Sequence, residues 1–168
     1  MGEIERIARL LEQTFEGDPY HGPSVLGALE NVTADVAARK PLWSAHRIWD
    51  IVTHLIAELD YARAVIEGTA GPWIEGETTW PAVTDTSKAA WQVAITELKK
   101  ANQALVRAVK QLDDTVLEKQ PIRVRGPFYV MLHGTMHHNV YHAGQISLLT
   151  GQMALTEGGG SNEANHRR

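Results

Sequence analysis

Apolar residues recur at intervals of three and four positions along most of the chain, which is the spacing of an amphipathic α-helix. Four long segments follow this pattern, over residues 4–15, 45–67, 86–112 and 128–150, and a shorter one covers residues 25–36. The alternation of apolar and polar residues that would indicate a sheet is not clearly present. Because each helix has an apolar face that must be buried against another element, the pattern predicts an all-α protein folded as a four-helix bundle with long connections.

The ends of the predicted helices follow from capping residues and from glycine. Ser44 is the expected N-cap of the second helix, and Gly151 is expected to end the last one. The chain beyond that helix is rich in glycine and polar residues, a composition typical of disorder. We therefore predict one bundle domain over residues 1–152 and a disordered tail over residues 153–168.

Two connections, residues 69–83 and 113–126, are too long for tight turns between neighbouring helices. Long ordered loops often carry function or cover a core. The first connection holds Trp73 and Trp80, which could cover a pocket, although packing in a core or at a dimer interface is the commoner role of tryptophan. In the second, residues 122–125 alternate and indicate at most a short strand.

Composition excludes several classes of protein. The 168 residues include 16 Lys plus Arg, 20 Asp plus Glu and no cysteine, for a formal net charge of −4. Without cysteine the chain has no disulfide scaffold, cysteine nucleophile, iron–sulfur cluster or thiolate zinc site. The acidic balance disfavours general nucleic-acid binding, and the sequence shows neither a secretory leader nor a transmembrane run. We expect a cytoplasmic protein that binds neither nucleic acid nor membrane.

Histidine is the residue type that indicates chemistry. The last predicted helix carries the pairs His133/His137 and His138/His142, both with i, i+4 spacing. This spacing stacks two imidazoles on one helix face, within reach of one metal ion. A third ligand must come from another helix, and His54, in the middle of the second helix, is the candidate. Periodicity alone does not decide between the two pairs, and a part-buried histidine is often only a packing residue.

Several classes of enzyme are excluded because the sequence lacks their motifs. Residues 138–142 have the spacing of His-Glu-x-x-His, but Asn139 replaces the glutamate that serves as general base, which excludes a zincin protease. The chain has no Glu-x-x-His motif of the kind that a carboxylate-bridged di-iron bundle needs. It also lacks the serine-hydrolase elbow, the Walker loop and the dinucleotide-binding glycine motif.

Two stretches resemble the signatures of the DinB/YfiT-like superfamily. Residues 138–146 read HNVYHAGQI and are similar to the family motif H-x-x-x-H-x-G-Q-I. Residues 48–55 resemble the other family marker, a single histidine, here His54, after an aromatic and aliphatic run. The order of the two markers also agrees, and the resemblance extends over about residues 4–152.

The resemblance implies a four-helix bundle, often a homodimer, that holds one divalent metal ion, zinc or nickel, on three histidines. The matching residues in this sequence are His54, His138 and His142. Some members of the superfamily are S-transferases or isomerases that use a low-molecular-weight thiol such as mycothiol, bacillithiol or glutathione. The resemblance therefore implies a metal-dependent enzyme with a small-molecule substrate.

Three neutral imidazoles would leave an open coordination position, as in catalytic rather than structural zinc sites. A water or a thiol in that position has a lowered pKa, so thiol transfer and hydrolysis are both open to such a site. Asp50 and Glu58 lie one turn either side of His54 and are candidates for hydrogen bonds to it; Glu58 could also be a fourth ligand. Gln145, one turn beyond His142, is a candidate for a contact with substrate or water.

Other roles stay open at this point. Arg123 and Arg125 could hold an anionic cosubstrate through bidentate contacts, although ordinary surface charge is the commoner role. One alternative function is a non-catalytic bundle that binds a metal or small ligand in a stress response, and another is a helical dimerisation module without metal. Of these three hypotheses, only the metal-dependent enzyme predicts a pocket beside an accessible metal position.

Overall fold

The computed structural model describes residues 1–41, 44–72, 76 and 79–158, with the backbone alone over residues 154–158. All regular structure in this part of the chain is helical, which confirms the all-α prediction. Six α-helices and a short 3-10 helix follow one another: α1 (Glu3–Glu16), α2 (Val25–Leu29), α3 (Ala34–Ala38), α4 (Ile48–Ile66), α5 (Lys88–Lys110), the 3-10 helix (Asp114–Val116) and α6 (Phe128–Gly158). Across the same residues, no helix combines the length and the apolar character needed to cross a membrane.

The four longest helices share one hydrophobic core. Helices α1 and α4 each pack against both α5 and α6, so α1 and α4 alternate with α5 and α6 around the core. Of the short helices, α2 packs against α1 and α6, and α3 packs against α4 and α5. Burying one large aliphatic side chain contributes about 1.5–3 kcal/mol, so this core stabilises the helices more than their intrinsic propensities do. Side chains from all four long helices are fully buried there: Ile7, Leu11, Leu55, Leu59, Leu98, Leu105, Leu132 and Ile146.

The start of α4 matters for the site because this helix carries His54. Arg47 is the N-cap residue, so the prediction of Ser44 as the cap is wrong. The Asp50 carboxylate accepts a hydrogen bond from the Arg47 backbone N–H at 2.8 Å and pairs with the Arg47 guanidinium at 2.6 Å. The Ser44 hydroxyl instead donates to the carbonyl of His46 and accepts from its N–H, the local bonding that serine favours outside helices.

Two further segments differ from the sequence pattern. Residues 25–36 form the separate five-residue helices α2 and α3 rather than one longer helix. The hydroxyl of Thr33 accepts from the Val36 N–H at 3.3 Å, which starts α3 afresh. Residues 122–125 form turns rather than a strand, and the Arg123 backbone is left-handed, with φ of 72°.

Helix α6 is longer than the pattern indicates. It passes through Gly151 and ends at Gly158, so Gly151 does not end the helix as expected. A glycine in a helix interior costs about 1 kcal/mol relative to alanine but keeps its backbone hydrogen bonds, so the helix can continue through it. Residues 159–168 of the expected tail lie outside the described residues, and the domain boundary at residue 152 stays a prediction.

Candidate metal centre

Three of the predicted ligands meet where α4 packs against α6. His54 Nε2 lies 3.0 Å from His138 Nε2, and His142 Nε2 lies 3.0 Å from the same atom. His54 and His142 are buried, with 6% and 3% of their surfaces exposed, and His138 is half-buried. The spacing of one helical turn puts the two α6 imidazoles on the face that meets α4. The three ring nitrogens therefore converge on one point.

Protons alone do not satisfy this arrangement. His54 Nδ1 donates to the Thr79 carbonyl at 2.5 Å, which leaves Nε2 of the neutral ring as an acceptor only. The central His138 Nε2 either carries a proton or offers a lone pair, and it cannot do both at once. At least one of the two 3.0 Å contacts therefore has no donor–acceptor pair of its own and is not a hydrogen bond. A cation between the three nitrogens would remove this conflict.

The electrostatics of the site favour neutral rings. Burial lowers the pKa of all three imidazoles, to about 4 for His138 and to about 3 for His142, because the charged form loses its contact with water. The neighbouring rings lower the pKa of His138 and His142 further, while the Thr79 carbonyl opposes the shift at His54. At pH 7 all three rings are neutral, which is the protonation state of a histidine that binds metal.

Two neighbours fix His54: the Thr79 carbonyl, which no sequence signal indicates, and Trp80, one of the two tryptophans predicted as candidates to cover a pocket. The Thr79 carbonyl accepts from Nδ1, the type of bond that sets the tautomer and orientation of a metal-binding histidine. The ring of Trp80 stacks on His54 with centres 3.9 Å apart, and it also stacks on His46 at 3.7 Å. Every residue has a carbonyl, so no sequence signal could single out Thr79. Trp73, the other tryptophan of this connection, lies outside the described residues.

A cavity of about 450 Å³ opens beside His138. Its volume is typical of sites for small molecules. Burial raises the pKa of the Glu58 carboxyl, which lines the cavity, to about 7. Apolar parts of α4 and α6 form much of the wall, and the polar side chains along it are those of Glu58, Tyr61, Arg123, Arg125, Thr135 and His138.

The other predicted contact residues have different surroundings. Asp50 caps α4 through its bonds at the start of that helix. Because the Thr79 carbonyl already accepts from His54 Nδ1, that nitrogen is not available to a carboxylate. The side chain of Gln145 donates from Nε2 to the Tyr141 hydroxyl at 2.9 Å.

The structure brings only one of the two histidine pairs, His138 and His142, next to His54. His133 lies against Tyr129, with ring centres 4.2 Å apart, and His137 is exposed. Within the described residues, the one group of three potential ligand side chains that could hold a metal ion is His54, His138 and His142. No protein-family model, no curated protein and no solved structure matches this chain. The three-histidine group is therefore the main structural evidence for a function.

Proposed function

We propose that this chain is a metal-dependent enzyme of the DinB-like type. His54, His138 and His142 hold one divalent ion, and the cavity beside His138 admits a small-molecule substrate. The observation that carries the proposal is the convergence of three neutral imidazole nitrogens that no arrangement of protons satisfies. The proposal also includes the remaining properties of the resembled superfamily, a four-helix bundle and a homodimer.

The donor set fits zinc or nickel. Two imidazole nitrogens bound to one such ion at about 2.0–2.1 Å lie roughly 3 Å apart at ordinary coordination angles. This agrees with the 3.0 Å that separates His138 Nε2 from each of its two neighbours. Three neutral donors would leave the ion its full charge, and a water or thiol bound at a remaining position would then have a lowered pKa.

The residues around the cavity would position the substrate and move its protons. Thr79 and Trp80 hold the His54 ring in one orientation. Glu58 lies in the same cavity as His138, and its pKa of about 7 allows it to accept or give a proton near neutral pH. We propose that the attacking group is a low-molecular-weight thiol, as in a transferase or isomerase, or water, as in a hydrolase.

Metal content tests the ligand assignment. Tag-free protein analysed by mass spectrometry should contain about one zinc or nickel ion per chain, and His54→Ala or His142→Ala should lose it. His137→Ala is the matched control, because this exposed histidine on the same helix lies outside the group and should keep the metal. Unchanged metal content in His54→Ala would refute the assignment.

A second experiment tests the open position that an enzyme needs. Cobalt-substituted protein should develop a thiolate-to-cobalt absorption band in the near ultraviolet when 2-mercaptoethanol is added. A bound cobalt ion that does not take up the thiol would support a closed, non-catalytic metal site instead.

A further inference from the structure

The cavity beside His138 is elongated along α6. Its wall includes Met131 and His138, which are seven residues apart on this helix and therefore about 10 Å apart along its axis. Helices α4 and α6 run in opposite directions beside the cavity. Near the start of α6, Phe128 shares a neighbouring surface pocket with Val65 at the end of α4, whereas His54 meets the middle of α6. The cavity therefore extends from the three-histidine group toward the connection before α6.

That connection contributes two positive charges. Arg123 and Arg125 both line the cavity and are exposed. In the part of the chain that the structure describes, neither guanidinium forms an ion pair, whereas Arg47 and Arg63 each have a carboxylate partner. These two guanidinium groups bring two positive charges to one end of a cavity whose one acidic lining residue, among those described, is Glu58.

The backbone of this connection is held in an unfavourable conformation. Arg123 has φ of 72°, in the left-handed region that side chains other than glycine and asparagine rarely adopt. Residues held in sparsely populated backbone conformations cluster at active sites, ligand-binding sites and switch regions. Here the strained residue is one of the two arginines beside the cavity.

We propose that the cavity binds an elongated small molecule that carries an oxyanion, such as a carboxylate, and that Arg123 and Arg125 hold this group. The planar guanidinium matches a carboxylate in bidentate geometry, and the apolar wall accommodates the body of the molecule. The other end of the molecule reaches the metal position, because the same cavity is lined by His138 and by both arginines. This inference rests on the proposed metal site, because that site anchors the reacting end.

Two thiols of equal chain length test the inference in cobalt-substituted, tag-free protein. The probes are 6-mercaptohexanoate and the neutral 6-mercapto-1-hexanol, and the thiolate-to-cobalt band reports the binding of each. The acid should bind about tenfold more tightly than the alcohol, the ratio expected of a charge-assisted hydrogen bond. Added salt should reduce this preference, because the two guanidinium groups are exposed.

The variants assign the preference to the two arginines. Arg123→Asn combined with Arg125→Gln should bind both thiols with the affinity of the alcohol; asparagine is used at 123 because it tolerates a left-handed backbone. The matched control is Arg107→Gln, which removes one exposed positive charge from α5, away from the cavity, and should keep the preference.

Three outcomes would overturn the inference. Equal affinity for acid and alcohol in the unaltered protein would show that the cavity does not select an oxyanion. A preference that persists in the double variant would show that other groups select it. Absence of the thiolate band with both thiols, in protein that mass spectrometry shows to contain cobalt, would refute the open coordination position of the proposed enzyme, and this inference with it.

Discussion

The stability of the metal-free protein should fall steeply in mild acid because of His138 and His142. Their pKa values in the folded state are about 4 and about 3, whereas an imidazole in an unfolded chain titrates near 6.5. Between these values the unfolded chain binds more protons than the folded one. The stabilisation is therefore complete above about pH 6.5 and is lost as the pH falls toward 3–4.

The size of this loss of stability in acid follows from the same pKa values. Integrating the difference in bound protons from pH 7 to pH 5 gives about 2 kcal/mol for each histidine, or about 4 kcal/mol for the two. Glu58 acts in the opposite direction, because a carboxyl whose pKa is raised to about 7 destabilises the folded state as the pH rises from 4.5 to 7. The Glu58→Gln variant removes this opposing contribution.

The assay is urea unfolding followed by far-ultraviolet circular dichroism, in the presence of a chelator, at pH 7, 6 and 5. In the Glu58→Gln background the free energy of unfolding should drop by about 4 kcal/mol more than in a variant that also carries His138→Asn and His142→Asn. Asparagine does not titrate, and comparing the changes with pH cancels any constant cost of the substitutions. If both proteins lose the same stability to within about 1 kcal/mol, the two histidines are not held neutral by burial.

Two further predictions concern the neighbours of the candidate metal centre. Asp50→Ala should lower the free energy of unfolding by about 1 kcal/mol, measured by urea titration, because the N-cap residue Arg47 loses its bonds to the Asp50 carboxylate, while the metal content stays the same. A loss of metal in this variant would show that Asp50 acts on the ligands as well. Trp80→Leu should weaken metal binding about tenfold in competition with a chelator, because the stacked ring orients His54. An unchanged affinity would contradict that role.

The helical class could be predicted from the sequence because amphipathic periodicity is a local property. The pattern of Ile48, Leu55 and Leu59 requires only that one face of α4 be buried, and these residues are buried. Helix ends were less predictable, because the choice of cap depends on competing local bonds. Ser44 has the side chain of a good cap, but the Asp50 carboxylate three residues into the helix fixes the start at Arg47.

The spacing of the histidines established by itself that one face of α6 could offer two imidazoles to a metal ion. It could not choose between the pairs, because both have i, i+4 spacing and the choice depends on which face of α6 meets α4. Packing of the two helices decides this: His138 and His142 lie beside His54, whereas His137 faces solvent. The position of a helix face relative to its neighbours is a tertiary property.

The tertiary structure alone decided which groups surround the three histidines. The Thr79 carbonyl that orients His54 comes from a connection 25 residues along the chain, and backbone carbonyls have no sequence signature. The cavity joins Glu58 on α4 to two arginines that follow the 3-10 helix, and only packing brings such distant segments together. The sequence determined which residues could bind metal, because ligand chemistry belongs to the side chain. Folding decided which of them meet and what space opens beside them, because distance between helices depends on how the whole core packs.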